Sequence, residues 1–111
     1  MSRDETVQAK LLRRGCLVVL RAAQNAGGDG WTVSRAIFNH LAPDHPGATL
    51  AGVEQALRYL AEKAYAAVRS RMDSKFMGSV TGSMQAKMLP HGTDLLEETI
   101  PPDPGVEDNR I

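Results

Sequence analysis

The sequence has too few cysteines for a disulfide-stabilised protein, and its apolar runs are too short for a membrane-spanning one. Its single cysteine, Cys16, cannot form an internal disulfide, so the 111 residues are expected to be stabilised by packing in a reducing compartment. The longest apolar run, Cys16 to Leu20, is far shorter than the roughly 20 residues of a membrane-spanning helix. The first residues also lack the basic start and long apolar stretch of a secretory signal. These absences predict a cytoplasmic protein without a membrane partner.

The chain also lacks a net charge, with 13 basic and 13 acidic residues. A neutral total argues against a nucleic-acid binder, which usually carries a basic excess. The charge is, however, unevenly distributed: residues 1–90 carry 12 basic and seven acidic side chains, a net +5, whereas residues 91–111 carry one and six, a net −5. We therefore expect an acidic C-terminal tail that lies on a basic body and competes with phosphate for it.

Apolar periodicity predicts a first helix over residues 6–26, a segment without proline. Its apolar stripe consists of Leu12, Cys16, Val19, Leu20 and Ala23. Four further apolar residues, Val7, Leu11, Leu17 and Val18, fall outside this stripe. They are expected either to cover the hairpin of the same domain or to form a dimer seam.

Two more helices follow, separated by a proline-containing turn. The second is expected to be capped by Thr32 or Ser34 and to end near Leu41, because Pro43 in the following segment 42–48 prevents continuation. The third is expected to begin after the cap Thr49 and to end near residue 64. Its inward positions are Leu50, Val53, Leu57 and Leu60, and its outward positions are Ala51, Glu54, Gln55, Arg58, Tyr59, Glu62 and Lys63.

After Tyr65 the apolar period changes to two, which predicts two strands joined as a hairpin. The strands are expected over residues 66–72 and 83–89, with a Ser/Gly/Lys loop between them and a short helix from His91 to Glu98. The predicted fold is α+β and mainly α. One domain is expected over residues 1–98, followed by a flexible, acidic, proline-rich tail over 99–111.

This order of elements resembles the winged helix-turn-helix family over roughly residues 11–96. Three pieces carry the resemblance: Trp31-Thr-Val-Ser-Arg-Ala-Ile at the second helix, Val53-Glu-Gln-Ala-Leu-Arg-Tyr-Leu-Ala-Glu-Lys-Ala-Tyr at the third, and Met88-Leu-Pro-His-Gly-Thr-Asp-Leu-Leu after the hairpin. The closing segment from Gly92 to Val106 is also similar to small winged-helix proteins of Mu-like phages and prophages. The resemblance implies a three-helix bundle with a two-stranded wing and a short C-terminal helix.

The family resemblance implies binding to double-stranded DNA, with the third helix in the major groove and the wing against the backbone or the minor groove. Gln55 and Arg58 are chemically suited to base edges, and Tyr59 and Lys63 to phosphates. Glu54 and Glu62 oppose that use, so the alternative is that this helix face is only a solvated surface. The hairpin carries four basic residues with phosphate-binding potential: Arg69, Arg71, Lys75 and Lys87. The alternative is that these charges protect a sheet edge.

Other features predict no catalysis, no metal site, no cofactor and no small-molecule ligand. The three histidines and Cys16 lack metal-ligand spacing, and the glycines near residue 28 do not form a phosphate loop. Phe76 and Met77 at the loop tip are expected to fold back onto the domain, and the alternatives are that they insert into a partner or stay mobile. The expected function is regulatory or DNA-handling. The rival predictions are a winged-helix module that binds protein, including a second copy of itself, and a small accessory protein of a phage particle.

Overall fold

The computed structural model describes residues 3–70 and 84–106, which form a mainly helical α+β structure, as the sequence predicted. The helices are α1 (Arg3–Asn25), α2 (Ser34–Leu41), α3 (Leu50–Glu62) and α4 (Pro90–Leu96), and a short 3-10 turn, Ala42–Asp44, follows α2. The strands are β1 (Thr32–Val33), β2 (Ala66–Ser70) and β3 (Met84–Met88). Among the described helices, none combines the length and the apolar character needed to cross a membrane.

The strands form one antiparallel sheet in the order β1-β3-β2. Strands β2 and β3 pair as the predicted hairpin, with Arg69 opposite Gln85. Strand β1 is a third member of the sheet that the sequence did not predict. It pairs with β3, with Thr32 opposite Ala86. The predicted loop positions Phe76 and Met77 lie outside the described residues.

The core lies between α1, α3 and the inner face of the sheet. Met84, Ala86 and Met88 alternate inward along β3, as the period of two predicted. Cys16 is fully buried in α1, and burial raises the pKa of its thiol to about 12. The placement of Leu17 outside the apolar stripe was wrong, because Leu17 is fully buried. Helix α1 contacts α2, α3, α4 and β3, so these elements cover a wider arc of α1 than the stripe alone.

The two helix caps differ from each other. Thr49 caps α3 as predicted, since its hydroxyl accepts a hydrogen bond from the Gly52 amide at 3.0 Å. The cap predicted for α2 was wrong. The N-cap position is Val33, which makes no side-chain capping bond, and Ser34 is the first helical residue. Ser34 is fully buried, and its hydroxyl donates to a carboxylate on α3 instead.

The chain after α4 packs against the body. Residues 99–106 form no helix or strand, in keeping with their prolines, but Val106 joins the buried core and Ile100 packs against it. The core therefore extends beyond residue 98, where the sequence analysis placed the domain boundary. We refer to residues 99–106 as the C-terminal segment.

Candidate nucleic-acid interface

Helix α3 presents one exposed stripe on the side opposite its core residues. Val53, Leu57 and Leu60 face the core, as predicted. The exposed stripe of α3 consists of residues at helical spacings of four, three and four: Ala51, Gln55, Arg58 and Glu62. Gln55 and Arg58 thus lie side by side on an accessible surface, with chemistry suited to hydrogen bonds with bases or phosphates.

Glu54 does not share this stripe, contrary to the sequence prediction. Its exposed fraction is only 9%, and its carboxylate accepts a hydrogen bond from the Ser34 hydroxyl at 2.8 Å. The prediction failed because it assigned only four residues of α3 to the core, whereas α2 packs against α3 and covers a wider arc of the α3 surface. A signal was present in α2, where Ser34, Ile37 and Leu41 are spaced as one buried helix face.

Tyr59 was predicted to be exposed and to reach phosphate, but it is half-buried and already has partners. Its hydroxyl donates to the Asp103 carboxylate at 2.8 Å. The Arg13 guanidinium lies 4.0 Å from the centre of its ring, and the Lys63 ammonium lies 5.8 Å from it. Lys63 itself is exposed, as predicted. The C-terminal segment therefore occupies the part of the predicted DNA surface around Tyr59 and leaves Gln55, Arg58 and Lys63 exposed.

Asp103 is the centre of this contact. Its carboxylate accepts hydrogen bonds from the hydroxyls of Tyr59 at 2.8 Å and Tyr65 at 2.7 Å, and from the Gly105 amide at 2.7 Å. Burial alone raises the pKa of this carboxyl, but the hydrogen bonds outweigh it and the net pKa is below the ordinary value. Burial and the Asp103 hydrogen bond raise the pKa of Tyr65 to about 12. The segment is held further by Arg13, which donates to the Gly105 carbonyl at 2.8 Å.

The outer face of the sheet holds a second basic surface. Arg69 is exposed on β2, and its Nε donates to Gln85 on β3 at 2.8 Å. The Arg69 guanidinium stacks 4.0 Å from the centre of the Trp31 ring, and the Lys87 ammonium lies 5.7 Å from the same ring. We call these four residues the sheet face. Arg71 and Lys75, the other two basic residues predicted for the hairpin, lie outside the described residues.

Sequence reasoning missed Trp31 as a member of this surface. A lone tryptophan before a helix has no recognisable binding pattern. The pairing of Thr32 with Ala86 brings Trp31 to the outer face beside Lys87. A long-range strand pairing of this kind leaves no periodic trace in the local sequence.

An apolar patch lies on α1, on residues that belong neither to the exposed stripe of α3 nor to the sheet face. The α1 patch consists of Val7, Leu11 and Val18, whose exposed fractions are 44%, 40% and 49%. Leu11 also lines two shallow grooves of about 230 and 340 Å³ between α1 and the chain around His45. Since they are exposed, these residues do not cover the hairpin of the same domain.

The comparisons with known proteins give no match: no family model, curated protein or solved structure resembles this chain significantly.

Proposed function

We propose that this chain is a non-enzymatic winged-helix protein that binds double-stranded DNA, with a regulatory or DNA-handling role. In this proposal α2 and α3 form the helix-turn-helix, α3 enters the major groove and the β2–β3 hairpin is the wing. The element order supports this assignment, because α1, β1, α2 and α3 precede the hairpin and α4 follows it. The DNA is recognised by exposed side chains of α3 and held by cations of the hairpin strands.

The proposal rests chiefly on the exposed stripe of α3. A helix of 13 residues is about 20 Å long, and its side chains fit a major groove about 12 Å wide. Arg58 and Gln55 project from this stripe, and the inward turn of Glu54 leaves Glu62 as its one carboxylate. The electrostatic objection raised by the sequence is therefore removed at Glu54, whereas Asp103 places one carboxylate beside Tyr59.

The sheet face supports the same function from a second element. Arg69 and Lys87 lie on adjacent strands, and the ion pair between Arg21 and Glu97 involves neither of them. No carboxylate of the described residues forms an ion pair with either cation, so both can bind phosphates. A protein that uses a few such contacts binds DNA with moderate affinity and a strong dependence on salt.

The test is a salt titration of binding to a random-sequence DNA duplex, measured by fluorescence anisotropy. We expect Arg58→Ala to weaken binding about tenfold and Glu62→Gln to strengthen it. Arg21→Ala is the matched control, since it removes the same charge from an ion-paired site on α1. The DNA proposal fails if the wild type does not bind at low salt, or if Arg58→Ala and Arg21→Ala bind equally well.

A second candidate function is self-association through the α1 patch, which the exposure of Val7, Leu11 and Val18 favours. Light scattering of the wild type should then give the mass of a dimer, and Leu11→Glu should give that of a monomer. Gln24→Glu is the control, because it adds the same charge to an exposed position of α1 outside the patch. A wild type that is monomeric at all concentrations removes this candidate.

A further inference from the structure

Arg69 is held in place from two sides before any partner arrives. Its guanidinium lies 4.0 Å from the centre of the Trp31 ring, and its Nε donates to Gln85 at 2.8 Å. A free arginine loses side-chain entropy when it binds, and an arginine that is already ordered loses less. The two remaining guanidinium nitrogens form a planar fork, which matches two oxygens of a phosphate group.

Two cations share one indole on this surface. The Lys87 ammonium lies 5.7 Å from the centre of the ring that Arg69 stacks upon, so both positive charges lie within 5.7 Å of one point. No carboxylate in the described part of the chain forms an ion pair with either of them. An anion placed between them would relieve their repulsion, and a phosphodiester group has the charge and the geometry to do so.

We propose that the sheet face is a preorganised phosphodiester site in which Trp31 is a positioning residue for Arg69. Arg69 and Lys87 contact the phosphate, Gln85 fixes the Nε end of the guanidinium, and the indole fixes its plane. Strand β1 thus contributes to DNA binding through a residue that carries no charge. This inference rests on the proposed DNA-binding function, which it deepens by assigning a phosphate contact to one defined surface.

A double-mutant cycle on Trp31 and Arg69 tests the inference, with binding to a random-sequence duplex measured over a range of salt concentrations. The variants are Trp31→Leu, Trp31→Phe, Arg69→Ala and the double variant Trp31→Leu/Arg69→Ala. Phenylalanine keeps an aromatic ring for the guanidinium, whereas leucine keeps only an apolar side chain. Circular dichroism establishes that each variant is folded before its affinity is compared.

We expect Arg69→Ala to weaken binding about tenfold and to reduce the slope of log K against log salt by about 0.9, the value for one lost phosphate contact. Trp31→Leu should weaken binding about two- to fivefold, as expected for a lost cation–π contact, but should keep the wild-type slope because the charge remains. Trp31→Phe should restore most of the affinity. In the Arg69→Ala background, Trp31→Leu should have a smaller effect than in the wild type, because only the more distant Lys87 contact with the ring remains.

The outcomes separate this inference from the proposed function. Wild-type binding that depends on Arg58 but not on Arg69 overturns the phosphate site alone. An effect of Trp31→Leu that is as large without Arg69 as with it overturns the positioning role, because a general packing defect acts independently of that arginine. A wild type that does not bind DNA overturns both.

Fluorescence gives an independent readout, because Trp31 is the chain's one tryptophan. Its emission should change on titration with the duplex and saturate with the same dissociation constant as the anisotropy. The change should be much reduced in Arg69→Ala, where the phosphate no longer approaches the indole. An unchanged emission at saturating DNA would place the contact elsewhere and overturn the inference.

Discussion

The hydroxyl of Ser34 donates a hydrogen bond of 2.8 Å to the carboxylate of Glu54, and this bond joins the start of α2 to the middle of α3. Ser34 is fully buried and Glu54 is 9% exposed. The bond has two consequences. It fixes the relative position of the two helices that the proposed DNA-binding motif requires, and it turns one of the two acidic residues of α3 away from the exposed stripe.

Replacement of Ser34 tests the structural part of this relationship. Ser34→Ala removes a donor to a buried carboxylate, so we expect the free energy of unfolding to fall by about 1–3 kcal/mol. Urea denaturation of Ser34→Ala, Glu54→Gln and the double variant gives the coupling between the two positions. The double variant should be less destabilised than the sum of the single ones. Simple additivity would show that the two side chains do not interact in solution.

Local patterns in the sequence predicted the elements of the fold well. The apolar period of α3 and its Thr49 cap correspond to a helix beginning at Leu50, and the alternation from Met84 to Met88 corresponds to β3. These predictions succeed because periodic burial and capping depend on residues only a few positions apart. The exposure of Gln55 and Arg58 follows from the same periodicity.

Contacts between distant segments could not be predicted in this way. Tyr59 and Asp103 are 44 residues apart, and the position of the C-terminal segment decides whether Tyr59 is available to DNA. The charge distribution predicts an acidic tail that competes with phosphate, and deletion of residues 101–111 would test this prediction. That deletion would also remove the buried Val106, so a charge change at Asp103 is the cleaner experiment.

Asp103→Asn should lower the stability of the protein in a pH-dependent manner. The folded-state pKa of Asp103 is below its ordinary value of about 3.9, so its contribution is complete above that value and is lost as the pH falls through the folded pKa. We expect a loss of about 1–3 kcal/mol at neutral pH, from the weakened hydrogen bonds. The difference from wild type should shrink as the pH falls below the ordinary carboxyl pKa of about 3.9.

The control for that experiment is Asp44→Asn, which changes an exposed carboxylate in the turn after α2. Its stability relative to wild type should vary little over the same range of pH. Urea midpoints at several pH values measure both variants. A difference between wild type and Asp103→Asn that stays constant down to the lowest pH would contradict the role assigned to the ionised Asp103.

The two tyrosines should titrate at high pH in the folded protein. Burial, followed by the Asp103 hydrogen bond, raises the pKa of Tyr65 to about 12, and the same causes raise the pKa of Tyr59. A group with a raised pKa contributes its stability fully below the unfolded value, about 10, and loses it as the pH rises through the folded value. Wild-type stability should therefore fall as the pH rises from about 10 to 12.

Ultraviolet absorbance of tyrosinate measures this directly, because the chain has only two tyrosines. In Asp103→Asn both should ionise closer to the ordinary value, and Tyr65→Phe assigns the higher of the two pKa values. Wild-type tyrosines that ionise together near the ordinary value, while the protein is still folded, would mean that neither hydroxyl is bound to Asp103.

Gly92 in α4 should tolerate no side chain. It is buried, and a Cβ atom at this position would overlap the backbone carbonyl of Tyr65 and lie 2.7 Å from the sulfur of Met88. That carbonyl already accepts a hydrogen bond from the Leu89 amide at 3.1 Å, so it cannot move without breaking the link between β2, β3 and α4. Gly92→Ala should therefore reduce the free energy of unfolding by about 2–3 kcal/mol or more.

The matched variant is Gly47→Ala, because Gly47 is exposed and a Cβ atom there would meet only the side-chain oxygen of Gln8, at 3.2 Å. This tip of a long side chain can move away, so the expected change is within about 0.5 kcal/mol. Urea denaturation compares the two alanine variants under identical conditions. If Gly92→Ala were as stable as Gly47→Ala, α4 would have to pack farther from Tyr65 than the structure shows, and the close approach of α4 to the end of β3 would be wrong.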